Sequence, residues 1–202
     1  DINYCKKLGI KVISYKNDKK IINSLPSTSE LAVGLMISIL RNIPISFESV
    51  KAGKWDYFPF IGRELKSLTI GIVGYGRLGK FMANFCKGLG MKVLVSDPYK
   101  NVKKYKNLKL KNIVKSSDVL SLHVHLNEET KYLINKEILK YSTKKPYIIN
   151  TSRGEVVNEK DIYYLLKSNK ISGYATDVIE HEFGEFKKSY ILKGIKEKLN
   201  II

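Results

Sequence analysis

The sequence predicts an α/β fold built on a doubly wound parallel sheet, and three observations carry that expectation. Strand-like and helix-like stretches alternate from Leu68 onward. The strand-like stretches are short, continuous apolar runs, the pattern of strands covered on both faces. A glycine-rich turn joins the first of them to a helix, in Gly71-Ile72-Val73-Gly74-Tyr75-Gly76-Arg77-Leu78-Gly79. With 202 residues, 44% of them apolar and 27% charged, the chain has a globular balance and enough length for a substantial core.

Ahead of the alternation the chain reads as a short helix (Tyr4 to Leu8), a strand (Ile10 to Tyr15) and a loop closed by Pro26. Ser27-Thr28-Ser29-Glu30 offers a helix N-cap, with Glu30 three residues after Ser27. The helix it opens runs to about Asn42 and stops near Pro44. It is apolar nearly all round, so burial on most sides is expected. Val50 to Gly62 reads as an aromatic-rich connection carrying Trp55, Tyr57, Phe58 and Phe60. The series then runs strand Leu68 to Val73, helix Leu78 to Leu89 and strand Lys92 to Ser96. A lysine-rich stretch follows, then strand Asp118 to Val124 and a short helix near Lys136 to Tyr141. Strand Pro146 to Asn150, helix Glu159 to Ser168 and strand Ile171 to Val178 complete it.

Composition narrows the function classes. The net charge of +17 invites an anionic partner. Yet only Arg41, Arg63, Arg77 and Arg153 are arginines among 36 basic residues, and nucleic-acid readers favour the arginine fork. The one concentrated basic run, Lys100 to Lys115, holds seven lysines and no acid. A solvated lysine surface is the better reading, with nucleic-acid binding through that run as a lesser alternative. The longest apolar block, Leu31 to Leu40, is half of the roughly 20 residues a membrane-spanning helix needs. The opening Asp1-Ile2-Asn3-Tyr4-Cys5-Lys6-Lys7 lacks a signal-peptide pattern. No membrane partner is expected. Two cysteines, Cys5 and Cys86, exclude a disulfide scaffold and fit a reducing cytoplasm. No metal site is expected.

Gly74, Gly76 and Gly79 form a G-x-G-x-x-G that follows a strand and opens a helix, the context that gives this motif its meaning. Gly74 allows the tight turn, Gly76 lets the backbone approach a pyrophosphate, and Gly79 lets the helix pack close to the strand. The N–H groups of Arg77 and Leu78, at the positive end of the helix, would face the phosphates. Asp97 ends the next strand, 18 residues after Gly79, where a carboxylate accepts from both adenosine ribose hydroxyls and repels a 2′-phosphate. The expected cofactor is therefore NAD, although Lys100 leaves some room for NADP. Arg153 stands just beyond a strand end, where doubly wound sheets place ligands. Its guanidinium can hold a carboxylate in a bidentate grip and polarise the adjacent carbonyl.

At this point the chain closely resembles the D-isomer-specific 2-hydroxyacid dehydrogenase family. The resemblance rests on Ser29-Glu30-Leu31-Ala32, Arg41-Asn42-Ile43-Pro44 and Gly53-Lys54-Trp55. It continues through the glycine turn, Asp97-Pro98-Tyr99 and Ser117-Asp118-Val119-Leu120-Ser121-Leu122-His123-Val124. Ile149-Asn150-Thr151-Ser152-Arg153-Gly154-Glu155-Val156-Val157 and Gly173-Tyr174-Ala175-Thr176-Asp177-Val178 complete it. It implies a Rossmann NAD-binding domain over 26–202, with an interdomain helix at 26–45 and a truncated C-terminal edge. Residues 1–25 would be a remnant of a second, flavodoxin-like substrate domain. It implies hydride transfer between NAD(H) and a D-2-hydroxy acid or 2-keto acid, and a homodimer. Arg153 matches the family's substrate arginine, and Asp177 the acid beside the nicotinamide. Thr151 and Ser152 match positions on the nicotinamide side, and Val124 and Thr130 positions around the adenosine half. On its own Val124 reads as core and Thr130 as a helix cap.

Glu182 matches the glutamate that pairs with the family's catalytic histidine, with Glu180 as a nearby rival. The family usually has proline where this chain has Phe183. A carboxylate there raises a histidine pKa and fixes its ring. In the family a strand like Leu199-Asn200-Ile201-Ile202 leads into Thr-Pro-His, whose histidine is the acid/base. His123, His125 and His181 are poor substitutes, so the expectation is a fragment of a longer reading frame that is inactive by itself. The competing class is an NAD-binding regulatory module without turnover, of the corepressor kind.

Overall fold

The computed structural model describes residues 2–14 and 18–202. Its centre is a parallel sheet of β1 (Thr69–Val73), β2 (Lys92–Ser96), β3 (Lys106–Asn107), β4 (Val119–Leu122), β5 (Tyr147–Asn150) and β6 (Gly173–Thr176). The strands lie in the order β3-β2-β1-β4-β5-β6, so the order reverses beside β1. Successive side chains of a strand point to opposite faces, and here both faces are apolar. Ile70, Ile72, Val93, Val95, Val119, Ile149 and Ala175 build one core. Val73, Leu94, Leu120, Leu122, Ile148 and Tyr174 build the other.

The first core is closed by α3 (Ser27–Leu40) and α5 (Arg77–Gly88), through Ala32, Met36, Ile39 and Leu40 and through Met82, Ala83 and Cys86. The second is closed by α6 (Leu110–Ser116), α7 (Lys136–Leu139), α8 (Glu159–Lys167) and α9 (Tyr190–Lys196), through residues such as Ile113, Leu139, Ile162 and Ile191. Helices on both faces of a parallel sheet are the doubly wound arrangement that the sequence predicts.

Several local expectations are corrected. Residues 10–14 are exposed and form no strand among the described residues; Tyr15 lies outside them. The first helix, α1, spans Ile2–Lys7, and α2 (Lys19–Ser24), capped by the Asp18 carboxylate, fills what reads in sequence as loop. Ser27 caps nothing: α3 starts behind Pro26, and Ser29 instead donates to the Leu78 carbonyl at 2.9 Å, tying α3 to α5. Nor is α3 buried on most sides, since one stripe is enclosed while Leu31 and Gly34 are exposed. Pro44 opens a helix rather than ending one. Asn42 turns left-handed (φ 56°), and α4 (Ile43–Lys51) begins with Pro44 in its first turn, where a missing N–H costs nothing. The lysine-rich stretch hides β3 and α6.

Asp118 stands just ahead of β4. Its buried carboxylate accepts from the Thr69 N–H at 3.0 Å, Arg63 Nη2 at 2.9 Å and Lys144 Nζ at 3.0 Å, joining the starts of β1 and β4. Burial pushes this acid up, but the Thr69 N–H and the Lys144 and Arg63 charges more than reverse that, leaving it below the ordinary carboxylate range. Such a group stabilises the fold above its unfolded pKa, about 4, and loses that contribution as pH falls through the lower folded value. Asp118→Asn is expected to lower stability by about 1–2 kcal/mol at neutral pH. In urea titrations the gap to the parent should close as the acid is protonated; a gap independent of pH would show that the charge of Asp118 contributes nothing.

Candidate functional site

The last residues of five strands stand in one row across the sheet. Ser96 pairs with Val73, Val73 with Leu122, Leu122 with Asn150, and Asn150 with Thr176. The next residue of each strand is therefore delivered to the same carboxyl edge: Asp97, Gly74, His123, Thr151 and Asp177. The reversal beside β1 makes this edge the crevice where open α/β sheets bind ligands.

At its centre, Gly74 has φ +89°, and a Cβ there would lie 2.5 Å from the His123 carbonyl oxygen. Only glycine meets both conditions. A Cβ at Gly79 would overlap the Gly74 carbonyl oxygen, so α5 rests on the turn itself. Gly76 differs: a Cβ there would meet nothing within 4 Å. Its lack of a side chain keeps open a space beside the first turn of α5. Arg77 and Leu78 are the first residues of that helix, whose leading N–H groups have no carbonyl of their own. The Arg77 guanidinium turns away and donates to the Leu25 carbonyl. Arg77 can therefore serve an anion through its backbone, while its side chain ties α5 to the chain ahead of α3.

Asp97 is buried, and its carboxylate accepts from the Tyr75 N–H at 2.8 Å and the Tyr99 N–H at 2.9 Å, one on each oxygen. Each oxygen keeps a further lone pair for a ligand hydroxyl. Asn107 of β3 braces the same residue, accepting from its N–H at 3.1 Å and donating to its carbonyl at 3.0 Å. Val124 packs beside Gly74. Thr130 caps no helix; its N–H and hydroxyl close the 125–130 turn onto His125 and Asn127.

At the ends of β5 and β6, Thr151 and Ser152 are buried, and Ser152 donates its hydroxyl to the Leu122 carbonyl at 2.7 Å. Arg153 is exposed, and its Nη1 donates to the Ser152 carbonyl at 2.7 Å, which leaves most of the guanidinium fork free. Partial burial pushes the Asp177 acid up, and the Arg153 charge pulls it back. Asp177 and Glu182 line one shallow cleft of about 400 Å³, together with Val178, Leu192 and Ile202.

The two candidate glutamates are separated by their partners. Glu180 accepts from the Glu159 N–H at 3.2 Å, and Glu159 accepts from the Glu180 N–H at 2.6 Å. Burial pushes Glu180 up, and the neighbouring Glu159 and Glu155 charges add to that. Glu180 thus fastens its loop to α8, while Glu182 is the carboxylate on the cleft. His123 is also removed from acid/base work. Burial lowers it to about 4, so it is neutral at pH 7, with Nε2 2.9 Å from Ser121 Oγ. Sequence reasoning missed Asn150, Tyr174 and Glu159, which support the strand-end turns from within: Asn150 bonds Ser152 and Arg153, Tyr174 bonds Asn150, and Glu159 bonds the Glu180 N–H. Asn150, directly before Thr151, is the one a sequence could have flagged, as a polar residue inside an apolar strand.

These residues fit a dinucleotide: the open space at Gly76, the unbonded first turn of α5 beside it, and the spare lone pairs of Asp97 one strand away. Among the described residues no group of His, Cys, Asp and Glu could hold a metal ion.

The family model described as D-isomer specific 2-hydroxyacid dehydrogenase, NAD binding domain, matches residues 33–195. D-3-phosphoglycerate dehydrogenase of Methanocaldococcus jannaschii is 35% identical over 188 residues, covering 90% of this chain and 35% of that protein. Hydroxypyruvate reductase of Thermotoga maritima is 35% identical over 184 residues, covering 90% of this chain and 58% of that one. The chain thus spans between a third and three-fifths of the length of these relatives. The D-lactate dehydrogenase of Aquifex aeolicus, solved with NAD and lactic acid, superposes with a TM-score of 0.73 at 32% identity, over 98% of this chain and 58% of that one. The chain belongs to the D-isomer-specific 2-hydroxyacid dehydrogenase family, of which it carries the NAD-binding domain.

Proposed function

We propose that the protein carrying this chain transfers a hydride between NAD(H) and the carbon bearing the oxygen of a D-2-hydroxy acid or 2-keto acid. The observation that carries this is the row of strand ends, which brings the glycine turn, Asp97, Arg153 and Asp177 to one edge. The nicotinamide supplies the hydride chemistry. The chain's own residues supply the rest. The Arg77 and Leu78 N–H groups face the pyrophosphate across the space kept by Gly76, and Asp97 accepts from the ribose hydroxyls. Val124 and Thr130 flank the adenosine half; Thr151, Ser152 and Asp177 flank the nicotinamide.

Arg153 grips the substrate carboxylate with the free part of its fork and polarises the neighbouring carbonyl. Glu182, on the cleft with Asp177, is the carboxylate that orients the proton-carrying histidine and raises its pKa. The family pattern has that histidine in a Thr-Pro-His after a strand like Leu199-Asn200-Ile201-Ile202. We place the protein in a reducing cytoplasm, on the strength of its two free cysteines. We also assign it a homodimer. Leu31 on the open side of α3, and Phe47, Trp55, Phe58 and Ile61 in the segments that follow it, are exposed apolar side chains that a second copy would cover. Sedimentation of the whole protein as a monomer at micromolar concentration would remove the dimer.

Titration of this chain with NADH by fluorescence tests the cofactor site. NADH should bind more tightly than NADPH, because a 2′-phosphate would sit beside the Asp97 carboxylate. Gly76→Ala should keep the parent's thermal stability yet weaken NADH about tenfold or more, since its Cβ fills the ligand's space and nothing else. Gly79→Ala should instead lose stability by about 1–3 kcal/mol through overpacking against Gly74. Parent-like NADH affinity in Gly76→Ala would move the pyrophosphate elsewhere.

In the whole protein, Arg153→Lys keeps the charge and loses the fork. KM for the keto acid should rise roughly tenfold or more, with NADH affinity nearly unchanged. A parent-like kcat/KM would take the carboxylate grip away from Arg153.

A further inference from the structure

The strand-end turn that carries Arg153 is held from beneath by one buried amide. Asn150 is the last residue of β5 and is fully enclosed. Its Nδ2 donates to the Arg153 carbonyl at 2.9 Å and to the Tyr174 hydroxyl at 3.2 Å, and its Oδ1 accepts from the Ser152 N–H at 3.1 Å. Both donor hydrogens and the acceptor are thereby used. An aspartate has no donor for the Arg153 carbonyl, and a glutamine is one methylene too long. Tyr174 lies on β6, equally enclosed. On the same strand the Thr176 hydroxyl lies 2.8 Å from the Asn150 carbonyl and 2.7 Å from the Val178 carbonyl, and it accepts from the Val178 N–H at 3.1 Å. One polar hub therefore braces two turns, the Ser152–Arg153 turn after β5 and the Asp177 turn after β6.

A phenol and a carboxamide at zero exposure between two apolar cores are costly to bury and are retained only when bonded, as they are here. A leucine at 150 or a phenylalanine at 174 would fill similar volume with no polar group to desolvate, so packing alone does not account for them. What they add is geometry. The carbonyl of Arg153 is fixed from one side and the N–H of Ser152 from the other, so the backbone from which the guanidinium projects has one conformation. A site held by a locked second layer loses little orientation freedom on binding.

We propose that Asn150 is the positioning residue of Arg153, with the Tyr174 hydroxyl as its support from the neighbouring strand. This rests on the reading of Arg153 as the grip on the substrate carboxylate, and the test separates the two. In the whole protein, Asn150→Ala, Tyr174→Phe and Arg153→Ala are compared by keto-acid KM, kcat, NADH Kd and thermal stability. Asn150→Ala should raise KM about tenfold or more with NADH Kd within roughly twofold of the parent. Tyr174→Phe keeps the ring, folds as the parent does, and should raise KM a few-fold. It carries the test where Asn150→Ala does not fold. In this isolated chain, amide exchange at Ser152 should quicken in Asn150→Ala, and in Tyr174→Phe to a lesser extent, before any ligand is added.

If Arg153→Ala raises KM while both hub variants bind substrate like the parent, the positioning role is overturned and the grip stands. A parent-like KM in Arg153→Ala overturns the grip and the positioning role with it. Equal losses in KM and NADH affinity in both hub variants would reduce the hub to general scaffolding and also overturn the proposal.

Discussion

The contact between α5 and the turn after β1 governs the rest of this fold. Positions 74 and 79 face each other without side chains, so the helix rests directly on the turn, and its first N–H groups reach the carboxyl edge of the sheet. Move the helix outward by the width of a methyl group and two things fail together. The apolar seam of Met82, Ala83 and Cys86 leaves the sheet, and the N–H groups leave the space beside Gly76. Helix packing and the position of these N–H groups are set by the same pair of glycines, while a side chain at Gly76 between them would touch nothing. A motif of three glycines therefore contains two packing requirements and one position that packing leaves free. Geometry tells them apart where spacing does not.

That edge is reached by polar groups rising through a dry interior. β1 and β4 end in Val73 and Leu122, whereas β5 and β6, on the side where the proposed substrate sits, end in Asn150 and Thr176. A pyrophosphate can be held by backbone N–H groups, which every residue has. A carboxylate grip needs one side chain in one orientation, and side chains are oriented by neighbours. The same division explains Glu159. It is buried at the start of α8 and accepts from the Glu180 N–H and the Ser189 hydroxyl, fastening the loop that carries Glu182 without reaching the cleft itself.

What the sequence discloses follows from how local each interaction is. The glycine turn, Asp97 and Arg153 announce themselves because their chemistry is compressed into a few consecutive residues at predictable strand ends. The sheet is legible for a related reason: a strand covered on both faces writes an unbroken apolar run. Other elements are hidden by competing signals. α6 buries only Ile113 and Val114, and its lysines make the stretch read as surface. Pro44 reads as a stop, although proline serves equally well in a first turn, and the left-handed Asn42 that decides the matter leaves no mark in composition. Residues 10–14 have the apolar, β-branched look of a strand, but they are exposed and belong to none of the strands among the described residues. The hub is the least local of all. Tyr174 meets Asn150 from 24 residues away, through the register of β5 and β6.

Charge is partitioned by the same logic of held against free groups. Three of the four arginines have fixed polar partners: Arg63 with Asp118, Arg77 with the Leu25 carbonyl, and Arg153 at the strand-end turn. The guanidinium plane is preorganised, so little freedom is lost when it is held. The lysines do other work. Many are exposed, and several lie over aromatic rings, as Lys111 does over Tyr141 at 4.0 Å and Lys193 over Tyr163 at 4.8 Å. Such contacts shape the surface without fixing a ligand. A net charge of +17 carried mostly by lysine therefore specifies no partner by itself. It does make the net field of the molecule positive. A dinucleotide and the proposed keto acid are both anions, so that field favours their approach before any directed hydrogen bond forms, and salt screens it. Under the proposed function, selectivity is left to a few directed groups, Asp97 and Arg153 foremost.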